Sequence, residues 1–196
     1  MIVGYHIVIG AYGFWLPNDP RGSWSDFVGS WNLFRYGPAT LTDETRSVAG
    51  VQRDRALRLA AKQELKHPSV EFTGIQARAI GSAFAEYVEK RGLVVWACAI
   101  LPDHMHLVVG ELNMTAEQLV VQLKGQATQR LLAEGLHPFG HLLDKNGRPA
   151  KCFARGQWIV FLDPEDVPRA IQYVENNPGK EGKKRQRWSF NTPYFG

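Results

Sequence analysis

Long apolar runs are missing from this chain, and none approaches the roughly 18 residues that a membrane-spanning helix needs. Cysteine is scarce as well. Cys98 and Cys152 form no C-x-x-C pair and are too few for a disulfide scaffold. Cys98 lies inside an apolar run and reads as a small buried hydrophobe. The opening Met1-Ile2-Val3-Gly4-Tyr5-His6 lacks the basic segment that begins a secretory signal. Together these absences predict a cytoplasmic protein with no membrane partner and free thiols. Repeats and low-complexity tracts are also absent. With 44% hydrophobic and 21% charged residues, the composition excludes a disordered chain. A length of 196 residues allows one domain that buries its own core.

Charge is modest, a net +4, but it is unevenly placed. Residues 180–187 carry five basic side chains and one acidic, with Trp188, Phe190 and Tyr194 close behind. A solvated basic tail is the plain reading of this segment. The rings beside it add a nucleic-acid reading, because bases stack on aromatic side chains.

The pattern of elements is legible. Ile2 to Ile9 is β-branched and closes at Gly10, which predicts a first strand. From about 12 to 70 the pattern is irregular and too long for an ordinary loop. This insertion holds Tyr12, Phe14, Trp15, Trp24, Phe27, Trp31, Phe34 and Tyr36, with Arg21 and Arg35, and a helix over Arg53 to Leu65. Its rings suit either a base-stacking lobe or a satellite core that orders a long segment; the second is favoured. Thr73 and Gln76 form a capping box, and so do Thr115 and Gln118, each opening a helix. The first of these ends at Gly92 and the second near Glu134. Val94 to Leu101, His104 to Val109 and Trp158 to Leu162 read as strands. Residues 135–157 read as loop, with a hairpin signal at Asn146-Gly147. A last helix is expected to start from Asp163 as cap, with Pro164 at its first position, and to stop at Asn177-Pro178-Gly179. Without the insertion, the order is βαββαβ plus one helix. That is an α+β, ferredoxin-like sheet with helices on one face. The whole chain forms a single domain, with a basic tail over about 179–196.

Chemistry concentrates in Leu101-Pro102-Asp103-His104-Met105-His106-Leu107-Val108-Val109. Strand side chains alternate, so His104 and His106 share one face while Met105, Leu107 and Val109 enter the core. Two imidazoles so placed can reach one divalent cation. Taken alone, the pair also reads as exposed or structural. In the last helix Val167, Ala170, Ile171 and Val174 define the buried stripe. At about 100° per residue, Tyr173 and Asn177 fall on one flank of that stripe and neighbour each other at i, i+4. An ordinary boundary tyrosine before a helix-stopping Asn-Pro gives the same pattern. His137 and His141 are rejected as a second metal pair, because Pro138 and Gly140 argue against a helix. His6 lies on the first strand, where it either flanks the metal face or is a satisfied sheet histidine, the latter favoured. His67 carries no signal.

Leu-Pro-Asp-His-Met-His-Leu-Val-Val resembles the HUH strand of IS200-like and REP-associated single-tyrosine transposases. Tyr173-Val-Glu-Asn-Asn177-Pro178 resembles their catalytic helix, and Leu123-Lys124-Gly125 with Arg130 is similar to the motif between them. The resemblance covers residues 2–10 and 72–178, in the family's order. Residues 12–70 depart from the compact family pattern. It implies that His104 and His106 hold Mg²⁺ or Mn²⁺ with Asn177 as third ligand. It further implies that Tyr173 attacks a phosphate of single-stranded, hairpin-containing DNA, leaving a 5′-phosphotyrosine and a free 3′-hydroxyl. Transposition or the processing of repeated hairpins would follow, in a nucleoid-associated protein. The resemblance leaves open a monomer or a homodimer that exchanges the tyrosine helix. Lys124 and Arg130 are candidate DNA contacts, with Gln122, Gln126 and Gln129 as hydrogen-bonding neighbours; a solvated helix face is the alternative. Lys151 and Arg155, then Lys183, Lys184, Arg185 and Arg187, extend the basic track. No general base for Tyr173 stands out.

Three other readings compete. A histidine-triad hydrolase needs a third histidine where Val108 stands. A two-tyrosine Rep or relaxase protein needs a tyrosine where Asn177 stands. A domesticated DNA-binding module would keep the scaffold without turnover, against which the intact His104, His106, Tyr173 and Asn177 set argues.

Overall fold

A computed structural model of the chain describes residues 1–17, 31–37 and 54–196. The elements run β1 (Gly4–Gly10), α1 (Trp31–Phe34), α2 (Arg55–Gln63), α3 (Gly74–Arg91), β2 (Val95–Ile100), β3 (His104–Gly110), α4 (Ala116–Ala133), β4 (Trp158–Leu162) and α5 (Val167–Lys180). The strands form one antiparallel sheet in the order β2-β3-β1-β4. With α1 and α2 set aside as insertion, this is the expected ferredoxin-like βαββαβ sheet, followed by the expected extra helix. Among the described residues no helix is long and apolar enough to cross a membrane.

Local chemistry explains the two long helices. At each start a threonine hydroxyl accepts from a glutamine backbone N–H, Gln76 at 3.3 Å and Gln118 at 3.2 Å. In return the glutamine Oε1 accepts from the threonine backbone, at 2.8 Å for Thr73 and 3.0 Å for Thr115. Four donors are thereby satisfied before either helix makes a tertiary contact. Both helices then cover one face of the sheet, over Ile7, Ile9, Met105, Leu107 and Val109. The other face is shallower. Ala97 and Ala99 of β2 and Val108 of β3 meet Val167, Ala170 and Val174 of α5. Small side chains on β2 let α5 settle close to the strands that carry the histidines.

The last helix corrects the sequence expectation at both ends. It starts at Val167 with Asp166 as cap, not at Pro164 after Asp163. Asp163 is engaged elsewhere, since its carboxylate takes the N-terminal ammonium at 2.9 Å. Residues 164–166 instead form a turn closed by the Asp166 N–H on the Asp163 carbonyl at 2.9 Å. At the far end the helix does not stop at Asn177-Pro178-Gly179 but runs on to Lys180. A proline in the final turn removes only one helical donor. Termination falls to Gly182, whose φ of 66° is the left-handed conformation that glycine adopts without steric cost.

The basic tail is laid against the body. The Gln186 side chain accepts from the Ile100 N–H at 2.8 Å and donates to its carbonyl at 2.7 Å, as a neighbouring strand would. Thr192 donates its backbone N–H to Val95 at 2.7 Å. Trp188 and Phe190 pack on the main core, Trp188 against Gly81 of α3.

Of the insertion, Phe14 and Leu16 are buried, Tyr12 lies edge-on to Phe139, and Phe34 is exposed. Arg35 ties α1 to α2 through Glu64 at 2.7 Å. The expected helix appears as α2, capped by Asp54, whose carboxylate accepts from the Leu57 N–H. Arg21, Trp24 and Phe27, the Trp31 side chain and the expected helix start at Arg53 lie outside the described residues.

Candidate active site

Three imidazoles meet on the α5 side of the sheet. Register makes this happen: β1 and β3 pair His6 with Val108, Val8 with His106 and Gly10 with His104. Paired residues share a face, so His6 joins the two histidines of β3. The His104 and His106 rings lie 4.8 Å apart, and His6 stacks on His106 at 5.2 Å. Both strand histidines are buried, His104 to 7% exposure and His106 to 4%. Opposite His104, Gly10 leaves room that a Cβ would take from Phe14, 2.8 Å from that position. Phe14 uses the space to stack on His104 at 4.8 Å.

Hydrogen bonds orient both rings. Asp103 Oδ1 lies 2.7 Å from His104 Nδ1, so the carboxylate accepts that proton and leaves Nε2 with its lone pair. His6 Nε2 lies 3.0 Å from His106 Nδ1. If His106 donates there, its own Nε2 also carries a lone pair. That Nε2 is buried and has no hydrogen-bond partner among the described residues. Burial pushes the His6 pKa down to about 4. Burial also holds His106 well below the ordinary histidine range, helped by the charges of His6, His104 and Lys180. Both are therefore neutral at pH 7, the form in which imidazole ligates metal.

Helix α5 brings the oxygen chemistry. The Tyr173 ring stands edge-on to His106 at 5.5 Å and to His6 at 5.7 Å, while remaining 44% exposed. One turn on, Asn177 is buried at 6% exposure, and its amide nitrogen has no partner among the described residues. A 180° rotation of that amide would present an oxygen in the same place. Buried polar atoms are rarely left alone, so the orphaned His106 nitrogen and Asn177 amide point to an absent ligand. Two imidazoles and an amide oxygen suit a divalent cation that accepts nitrogen and oxygen donors.

Asp103, His104 and Glu181 also each offer a donor atom within 4.8 Å of the others. Asp103 is already bonded to His104 Nδ1, which makes it the carboxylate that orients the ring. Glu181 is exposed and follows the last residue of α5, at the rim of the site. Sequence reasoning passed over Asp103, Lys180 and Glu181, and set His6 aside as a sheet histidine. Gly182 was the signal that could have extended the helix to include Lys180 and its neighbour.

The candidate DNA contacts divide. Lys124 is turned inward, donating to the carbonyls of Ala154 and Gly156 at 2.9 Å each. Burial, then Lys151, pushes its pKa down to about 8. Arg130 bridges α4 to Glu86 of α3 and to Glu134. Arg185 pairs with Glu175 of α5. Lys151, Arg155, Lys183, Lys184 and Arg187 have exposed side chains. Gly10, Ala11 and Tyr12 bond to residues 152–154, which sets Lys151 and Arg155 at the same end of the sheet as His104.

No protein-family model matches the chain, and no curated protein does. Solved structures are similar at low identity. One is described as a REP-associated tyrosine transposase bound to a REP hairpin; the identity is 12% and the TM-score 0.47, over 92% of this chain and 68% of that one. Another is a candidate transposase from Deinococcus radiodurans R1, with 14% identity and a TM-score of 0.41, over 90% of this chain and 91% of that one. Overlap at this level is loose.

Proposed function

We propose that this protein nicks and rejoins single-stranded DNA through a covalent 5′-phosphotyrosine on Tyr173, with a divalent cation bound. His104, His106 and Asn177 would hold Mg²⁺ or Mn²⁺, and the cation would supply the charge that polarises the scissile phosphate. One observation carries the reading: the Tyr173 ring stands 5.5 Å from His106, an imidazole whose Nε2 is buried and unpaired. A phenol that touches this imidazole and remains half-exposed supports Tyr173 as the nucleophile.

The protein's own groups have defined tasks. Asp103 and His6 fix the imidazole rings, so the site is organised before substrate arrives. The Tyr173 oxygen attacks phosphorus, the bond from phosphorus to the 3′-oxygen breaks, and that oxygen leaves as a hydroxyl after taking a proton. The phenolic proton is released to solvent. Reversal with another 3′-hydroxyl restores the phenol and joins the strands, and no energy source is needed because the phosphodiester count is conserved. Lys151 and Arg155 would steer the backbone toward His104, and Lys183, Lys184 and Arg187 would extend that path. Single strands, with a hairpin nearby, fit a site that must reach the phosphate from one side.

The test is incubation with a single-stranded hairpin oligonucleotide and Mn²⁺, followed by denaturing electrophoresis for a protein–DNA adduct. An adduct lost in Tyr173→Phe supports the reading. An adduct that survives the substitution removes Tyr173 as nucleophile, and cleavage with no adduct indicates an activated water instead.

A further inference from the structure

We propose that Lys180 is a further catalytic residue, which binds a non-bridging oxygen of the phosphate that Tyr173 attacks. The inference rests on the nicking function above and adds to it a contact supplied by the last turn of α5.

Three observations lead there. Pro178 does not end the helix, so Lys180 remains on the same rigid element as Tyr173, seven residues on and therefore on the same face. Its ammonium sits over the Tyr173 ring, 4.2 Å from the centroid. The lysine therefore joins His106 and His6, which stand edge-on to the same ring, as a direct neighbour of the nucleophile. Finally, the two acids nearest in sequence are directed elsewhere. Glu175 pairs with Arg185, and Glu181 lies beside Asp103 and His104.

An exposed ammonium in that position meets whatever approaches the phenol from solvent. A phosphodiester is the group the nicking reaction brings there, and its non-bridging oxygens carry the charge that a lysine binds as a point cation. As the phenol oxygen bonds to phosphorus, negative charge builds on those oxygens. A cation held beside the phenol favours the transition state over the free substrate. The aromatic contact holds the lysine in place before DNA arrives, which lowers the ordering cost of the contact. The guanidinium of an arginine could keep both interactions, whereas a neutral side chain keeps neither.

The experiment uses the full chain with a single-stranded hairpin oligonucleotide. Single-turnover adduct formation is measured in Mn²⁺ for wild type, Lys180→Ala and Lys180→Arg. Binding is measured separately by fluorescence anisotropy in the Tyr173→Phe background, across a salt series, with and without EDTA. Lys180→Ala should slow adduct formation by on the order of 100-fold, as loss of one preorganised charge contact does. Lys180→Arg should restore most of that rate. In the Tyr173→Phe background, Lys180→Ala should also flatten the salt dependence of binding by about 0.7, the value for one lost phosphate contact on a single strand.

An adduct rate within twofold of wild type for Lys180→Ala overturns the inference and leaves the nicking function standing. A slowed rate with unchanged salt dependence overturns the phosphate contact and leaves Lys180 as a residue that only positions Tyr173. Absence of any adduct in wild type removes the nicking function, and the role of Lys180 falls with it. Circular dichroism of each variant separates these outcomes from misfolding.

Discussion

The two faces of strand β3 are built to opposite specifications. Toward α3 and α4 it presents Met105, Leu107 and Val109, each essentially fully buried among branched and aromatic side chains. Toward α5 it presents His104 and His106, beside a smaller apolar cluster, and a buried nitrogen there lacks a partner among the described residues. One face contributes stability through apolar burial, roughly 1.5–3 kcal/mol for a large side chain. The other gives up part of that stabilisation to hold imidazoles in position. Stability and chemistry are thus separated by a single strand's pleat.

That separation can be broken in order of expected effect. Tyr173→Phe should abolish the DNA adduct while leaving thermal unfolding within roughly 0.5 kcal/mol of wild type, as expected for a half-exposed side chain. Leu107→Ala should do the reverse. It should lower stability by about 2–5 kcal/mol in urea denaturation, yet still form adduct at low temperature. If either variant loses both properties, the faces are not independent.

The rings' supports come next. Asp103→Asn or His6→Gln should weaken Mn²⁺ binding about 10–100-fold in calorimetry without unfolding the protein, because each removes a partner that orients a ligand. Equal Mn²⁺ affinity in both variants would remove the orienting roles.

A smaller effect should appear with pH in EDTA. His6 has a folded pKa of about 4, below the 6.5 of the unfolded chain, and His106 is shifted in the same direction. The unfolded state therefore binds more protons between those values, and stability rises with pH across that window. The melting temperature should fall as pH drops from about 6.5 toward 4. His6→Gln should flatten part of that slope, and an unchanged profile would mean the ring is not neutral when folded.

Least in size is the tail. Lys183→Ala with Lys184→Ala should lower the salt slope of single-strand binding by about 1.4 for two phosphate contacts, with the adduct rate at saturating DNA unchanged. A salt slope equal to wild type would make this segment a plain solvated tail.

Much of this arrangement was legible from residues alone, for local reasons. The capping boxes at Thr73 and Thr115 need only four consecutive residues, and both formed. The shared face of His104 and His106 follows from strand alternation, and the buried stripe of α5 from helical spacing. What was not legible depended on partners distant in sequence. His6 enters the site only through the β1–β3 register, across 100 residues. Lys124 and Arg130 look like solvent cations on a helix, until residues 154–156 and Glu86 fold against them. Trp188 beside a basic run reads as a stacking platform, but the groove at Gly81 takes it first. The end of α5 failed for a different reason. Proline is a stop signal in sequence, although in a final turn it costs one hydrogen bond and the helix can pass through it.

Because that helix continues, Tyr173, Asn177 and Lys180 are parts of a single rod resting on Ala97, Ala99 and Val108. They cannot be displaced one at a time. Enlarging either alanine would lift the rod as a whole, and cation affinity and turnover would decline in step.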